Sequence, residues 1–166
     1  FGDGAGALIL EAATGTGTTD DRGVLSTDLH SDGRYRELLY VDGGVSTNGQ
    51  AGHLRMQGNL VFRHAVEKLA QTAHHALEKA GLNPEHVDWL VPHQANMRII
   101  EAVGSRLDMT GDRVFVNVDK YGNTSSASIP LAITEARAAG RIKAGDRMLV
   151  TAFGAGLTWG AALLRF

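Results

Sequence analysis

Two short polar clusters hold the chemistry available to this chain. The first is Val91-Pro92-His93-Gln94-Ala95-Asn96 and the second is Tyr121-Gly122-Asn123-Thr124-Ser125-Ser126-Ala127-Ser128. A histidine supplies a ring N–H near neutral pH, and an asparagine supplies a fixed amide N–H that does not titrate. Aimed at one point, two such neutral donors stabilise a carbonyl oxygen as it becomes an enolate, each worth about 3 kcal/mol of barrier. The pair suits enolisation or decarboxylation of a thioester, whereas hydrolysis would want a base beside a nucleophile. Each residue alone has a plainer reading. A single histidine at a strand end is often structural, and Gly-Asn followed by Thr and Ser is a turn leading into helix caps.

The flanking elements give both clusters a common address. Trp89-Leu90-Val91 is an apolar run stopped by Pro92, which cannot donate to a sheet ladder and holds Val91 extended. His93 is therefore expected at the carboxyl end of a strand, just before a helix from Asn96 to Leu107. Val114 to Val118 reads as another strand, and Ser125 to Ala139 as the helix after it, stopped by Gly140. Ligands of open α/β sheets bind at the carboxyl ends of the strands, so the two edges can converge on one site.

The clearest helix is Gly58 to Ala80. Val61, Ala65, Leu69, Ala73, Ala76 and Leu77 recur there at three- and four-residue spacing, and Gly81 ends it. Further strands are read at Ala5 to Ala12, at Val24 to Leu29, and as a closing hairpin of Arg147 to Phe153 and Leu157 to Phe166. His30 to Arg55 is irregular and Gly-rich. Strands alternating with helices, with an antiparallel pair at the end, make the fold α/β. Gly2-Asp3-Gly4-Ala5-Gly6 lacks both the Lys-Ser/Thr and the helix of a phosphate loop. His64, His74 and His75 on the long helix show no shared face with an acidic or cysteine partner, so solvated histidines are expected rather than metal ligands.

Bulk properties narrow the classes. A formal net charge of −2 over 166 residues suggests neither nucleic acid nor a membrane surface as partner. There is no cysteine, which excludes disulfides, thiolate metal sites and a cysteine nucleophile within the chain. The first residue is Phe1, no signal peptide is visible, and the chain is expected to be a piece of a larger protein.

Longer motifs add a resemblance. Val-Pro-His-Gln-Ala-Asn, then Tyr-Gly-Asn-Thr-Ser-Ser-Ala-Ser-Ile-Pro, Gly-Arg-Ile-Lys-Ala-Gly-Asp and Ala-Phe-Gly-Ala-Gly-Leu-Thr-Trp-Gly follow in order. Together they resemble the β-ketoacyl-acyl-carrier-protein synthase III family, along essentially the whole chain. The resemblance implies a thiolase-like α/β fold, of which this chain is the C-terminal βαβαβαββ half, with a mixed five-stranded sheet between helices. Residues 1–22 would be the last strand of the missing N-terminal half and a linker, and residues 23–166 the C-terminal thiolase-like domain.

By the same resemblance, His93 and Asn123 are the histidine and asparagine of a Cys-His-Asn triad whose cysteine lies in the other half. They would bind the malonyl thioester carbonyl while carbon dioxide is lost, and the fragment alone would be inert. Phe153 looks like an apolar wall beside them. Ala155 stands where the family has the middle glycine of a Gly-Gly-Gly loop whose amide helps hold an oxyanion. Asn96 would hold the loop after His93, and Met56 and Gly58 resemble residues lining the pantetheine tunnel. Arg63, Arg98 and Arg106 match basic residues that face the acidic acyl carrier protein, though Ser105 replaces a second lysine.

The implied substrates are a short acyl-CoA and malonyl-acyl-carrier-protein, with no metal or redox cofactor. The implied setting is a cytoplasmic homodimer when full length. Elongating synthases, with a second histidine in place of Asn123, fit worse. A synthase III-like enzyme of polyketide or secondary metabolism, and a non-catalytic stand-alone half-domain, remain as rival readings.

Overall fold

A computed structural model describes residues 1–166. Its main sheet holds β1 (Gly23–Ser31), β4 (Trp89–Pro92), β5 (Arg147–Gly154) and β6 (Thr158–Arg165) in the order β1-β6-β5-β4. β4 runs parallel to β5, while β6 is antiparallel to both β5 and β1. A small hairpin pairs β2 (Leu39–Val41) with β3 (Leu54–Met56). The helices are α1 (Gly58–Lys79), α2 (Met97–Arg106), the single turn α3 (Val118–Tyr121) and α4 (Ser128–Ala138).

Alternation along the strands builds two cores, one on each face of the sheet. Leu90, Leu149, Ala161 and Leu163 face α1 and α2, where they meet Ala65, Leu69, Ala73, Leu77 and Val103. Val91 and Met148 face the other way, onto Ala132, Ile133 and Ala136 of α4 and onto Phe115. The apolar stripe predicted for the long helix is the buried face of α1, and its alanines let the helix lie close against the sheet.

One polar network interrupts the α1 side. The buried Asp28 of β1 accepts from Thr72 Oγ1 at 2.8 Å and from Lys79 Nζ at 2.7 Å. Burial opposes its ionisation, yet hydrogen bonds from Lys79, Thr72 and His30 hold the carboxyl well below the usual carboxylate range. His75 also approaches Asp28, while His64 packs against the Tyr35 ring at 4.4 Å. These two histidines are thus partnered, not merely solvated.

Ala5 to Ala12 pairs with no strand of this chain, and two other expectations about the backbone need correction. The segment has no ladder partner, its Leu8, Ile9 and Leu10 are exposed, and its start lies along α4, with Gly6 against Pro130. The Val114 to Val118 strand shrinks to a single bridge between Val114 and Leu90, with Phe115 N–H donating to Leu90 O at 3.0 Å. The chain turns away after Phe115 because Asn117 N–H is taken by the Gln94 side chain, so the sheet has four strands and one bridge. His30 to Arg55, read as irregular, contains the end of β1 and the β2–β3 hairpin. No helix is long and apolar enough to cross a membrane.

Candidate active site

Pro92 ends β4 as its sequence demands, and His93 N–H makes one last sheet bond, to Thr151 O at 2.7 Å. β4 and β5 are parallel, so their carboxyl ends coincide, and Phe153 stands at the same sheet edge as His93. Asn123 lies in the turn between α3 and α4, five residues before Ser128. There Gly122 adopts φ +65°, a conformation that glycine accepts without strain.

The half-buried His93 ring has one protein partner. Ser128 Oγ, at the start of α4, lies 2.6 Å from His93 Nδ1. The same oxygen accepts the Gln94 backbone N–H at 3.2 Å. Ser128 is buried, so its hydroxyl proton needs an acceptor, and Nδ1 supplies it. His93 therefore carries its own proton on Nε2, which makes no bond to the protein. Burial also pushes the imidazole below its ordinary range, which keeps it neutral at pH 7.

Asn123 is oriented by the same kind of device. Its Oδ1 accepts the Ser125 backbone N–H at 2.9 Å, which turns Nδ2 outward as the donor. Ser125 holds φ +53°, an uncommon left-handed conformation for a residue with a Cβ, so this turn stores backbone strain beside the site. Both residues thus present N–H groups and no free base.

Gln94 couples the two loops. Its buried side chain donates to Pro92 O at 2.8 Å and to Phe115 O at 3.2 Å, and accepts from Asn117 N at 2.9 Å. Asn117 in turn donates through Nδ2 to Glu135 of α4 at 3.0 Å, and Lys120 pairs with the same carboxylate. Gln94 and Ser128 were not singled out by sequence reading. Their roles rest on contacts with residues distant along the chain, and the only signal was that each lies within one of the polar clusters.

The other expected residues separate into groups. Asn96 is the N-cap of α2, its Oδ1 accepting from Ile99 N at 3.0 Å, and so fixes where the loop after His93 ends. Ala155 is exposed in the β5–β6 turn, where the positive φ falls on Gly156 instead, so the alanine sits there without strain. Met56 and Gly58 are exposed around the start of α1. Arg63, Arg98 and Arg106 are all exposed, and the Arg98 guanidinium lies 5.1 Å over the ring of Phe62, which joins the first turns of α1 and α2. Nothing in the side-chain contacts links these arginines to His93.

Comparison with known proteins places this geometry. A family profile described as 3-oxoacyl-[acyl-carrier-protein] synthase III C terminal matches residues 77–166. A β-ketoacyl-[acyl-carrier-protein] synthase III of Rhodobacter capsulatus is 68% identical over the whole chain, which spans 51% of that protein. One of Paracoccus denitrificans is 64% identical, with the same coverage. The chain thus spans about half the length of the curated relatives it matches.

Solved structures agree. The crystal structure of 3-oxoacyl-[acyl-carrier-protein] synthase III from Aquifex aeolicus superposes with a TM-score of 0.82 at 46% identity, covering 90% of this chain and 46% of that one. A priming β-ketosynthase from the R1128 polyketide pathway superposes with a TM-score of 0.79 at 34% identity, covering 89% and 46%. The chain belongs to the 3-oxoacyl-[acyl-carrier-protein] synthase III family, to whose C-terminal part its sequence and its fold correspond.

Proposed function

We propose that this chain supplies the decarboxylation half of an acyltransferase that condenses a short acyl-CoA, acetyl-CoA in the simplest case, with malonyl-acyl-carrier-protein. One observation carries the reading: His93 and Asn123 each have their acceptor atom occupied, by Ser128 and by the Ser125 amide, leaving Nε2–H and Nδ2–H as donors. With the malonyl thioester oxygen between these donors, the bond to the carboxylate carbon breaks and carbon dioxide leaves. The electron pair moves into the thioester enolate. The apolar wall of Phe153 favours departure of a neutral molecule over retention of a carboxylate. The carbanion then attacks an acyl group held as a thioester elsewhere and expels the thiolate.

That thioester requires a cysteine, and this chain has none. The nucleophile belongs to an N-terminal half, for which residues 1–22 would supply the closing strand and linker, so the 166 residues alone are inactive in condensation. The Ala155 amide joins the acyl oxyanion site. Met56 and Gly58 border the pantetheine arm, and Arg63, Arg98 and Arg106 receive the acidic carrier protein. Coenzyme A thioesters serve as substrates and no metal or redox group takes part in the reaction. The complete enzyme works as a cytoplasmic homodimer at the start of fatty-acid synthesis. The polyketide-priming relative supports a second reading, in which the same chemistry starts a polyketide chain.

The test is decarboxylation of malonyl-carrier protein by a full-length protein containing these residues, with H93A and N123A compared. Each should lose about 10²- to 10³-fold in kcat. Rates within tenfold of the parent for both would exclude the donor pair.

A further inference from the structure

The pairing of β1 with α1 gathers three ligating side chains outside the site just described. Asp28 and His30 alternate onto the same face of β1, and His75 meets them from α1. Asp28 Oδ2 lies 2.6 Å from His30 Nε2 and 3.4 Å from His75 Nδ1. All three ligand atoms are within 4.8 Å of one another. Four-coordinate zinc, with bonds of about 2.0–2.2 Å, holds its ligand atoms roughly 3.4 Å apart. Only small side-chain adjustments separate the present spacing from that geometry.

The surroundings resemble a supported site. The Asp28 side chain is 7% exposed, and Thr72 Oγ1 and Lys79 Nζ fix its two oxygens. His30 stacks on the Trp159 indole at 5.4 Å with the planes 14° apart, which restrains its ring. His30 and His75 remain 39% and 40% exposed, so an ion can enter and keep a water in the fourth position. Lys79 is the one positive charge in direct contact with the trio. Its ammonium sits on Oδ1, the oxygen that neither histidine contacts, and donates also to Thr27 O at 3.0 Å, while its side chain is 54% exposed. Two imidazoles with one carboxylate and no thiolate select a borderline ion such as Zn²⁺, Co²⁺ or Ni²⁺ over Mg²⁺ or Ca²⁺.

We propose that Asp28, His30 and His75 form a transition-metal site of the zinc class that ties the edge strand β1 to α1. The site is independent of the condensation chemistry.

The experiment is titration of the untagged 166-residue chain with Zn²⁺ by calorimetry and with Co²⁺ by visible absorption. One ion per chain is expected, with the Co²⁺ bands of a low-coordinate N/O site. H30A and H75A should each weaken binding at least about tenfold, and H74A should not. Zn²⁺ should also shift the ring NMR signals of His30 and His75 in the unmutated chain, a readout that needs no variant to fold. The proposal is overturned if the unmutated chain binds no more tightly than the folded H30A/H75A variant, or if the shifts fall on other histidines.

Discussion

Ser128 Oγ stands 2.6 Å from His93 Nδ1, although 35 residues separate the two along the chain. Because the same hydroxyl oxygen accepts the Gln94 amide, its proton points at the ring, and the histidine presents Nε2–H. Replacing Ser128 with alanine strands Nδ1 and the Gln94 N–H together. S128A should cost about 1 to 3 kcal/mol in urea unfolding, the range for a buried group left unpaired. In a full-length enzyme it should lower kcat by roughly tenfold or more. The ¹⁵N signals of the His93 ring should also move, because Nδ1 loses its donor. An unchanged Nδ1 shift in S128A would remove the basis for this assignment.

Gln94 makes three hydrogen bonds from a fully buried amide. Q94L keeps the bulk and removes all three, so it should destabilise the chain by about 2 to 4 kcal/mol. The chevron or equilibrium curve of Q94L against Q94E would show whether hydrogen bonding or volume is responsible. Q94E retains the acceptor for Asn117 N–H and should lose less only when its carboxyl is protonated.

The pH dependence of stability has a defined sign. Burial lowers the His93 pKa from its ordinary 6.5, so the unfolded chain binds a proton more readily than the folded one. Above pH 6.5 both states are neutral and His93 adds nothing to the slope. As pH falls through 6.5 the unfolded state is protonated first, and stability declines until the lower folded value is passed. Urea unfolding at a series of pH values should show a shallower decline below 6.5 in H93Q than in the parent. Identical slopes would sink the prediction.

In the β5–β6 turn the strained position is Gly156, at φ +137° with Thr158 N 3.1 Å from where a Cβ would lie. G156A should therefore cost about 1 to 2 kcal/mol or more. A155G, at a position with ordinary φ, should cost no more than about 1 kcal/mol, through chain entropy alone. Thermal unfolding of the two variants compares them directly.

Sequence pattern located the elements that obey one strong local rule. The alanine and leucine spacing of α1, the proline that closes β4 and the Asn96 cap of α2 all lie where that rule puts them. Elements of three residues escaped, because β2 and β3 are too short for a period to register. Val114 to Val118 has strand composition, but a side chain on another loop takes Asn117 N–H and ends the ladder, a contact that no local pattern encodes. Ala5 to Ala12 likewise has strand composition and no neighbour to pair with. His93 and Asn123 were picked out by residue type alone. Their orientation did not follow from type, because it depends on Ser128 and on the left-handed Ser125.

The Gln94 amide bridges the loop of His93 and the loop that leads to Asn123. A clamp of this kind correlates their positional errors. When thermal motion or a distant substitution displaces one loop, the other is carried with it, and the spacing between the two donors changes less than the position of either. Alignment of the pair is thereby buffered against disturbances elsewhere in the sheet. The vulnerability is concentrated in one uncharged side chain, which touches no substrate and would be passed over in a search for reactive groups.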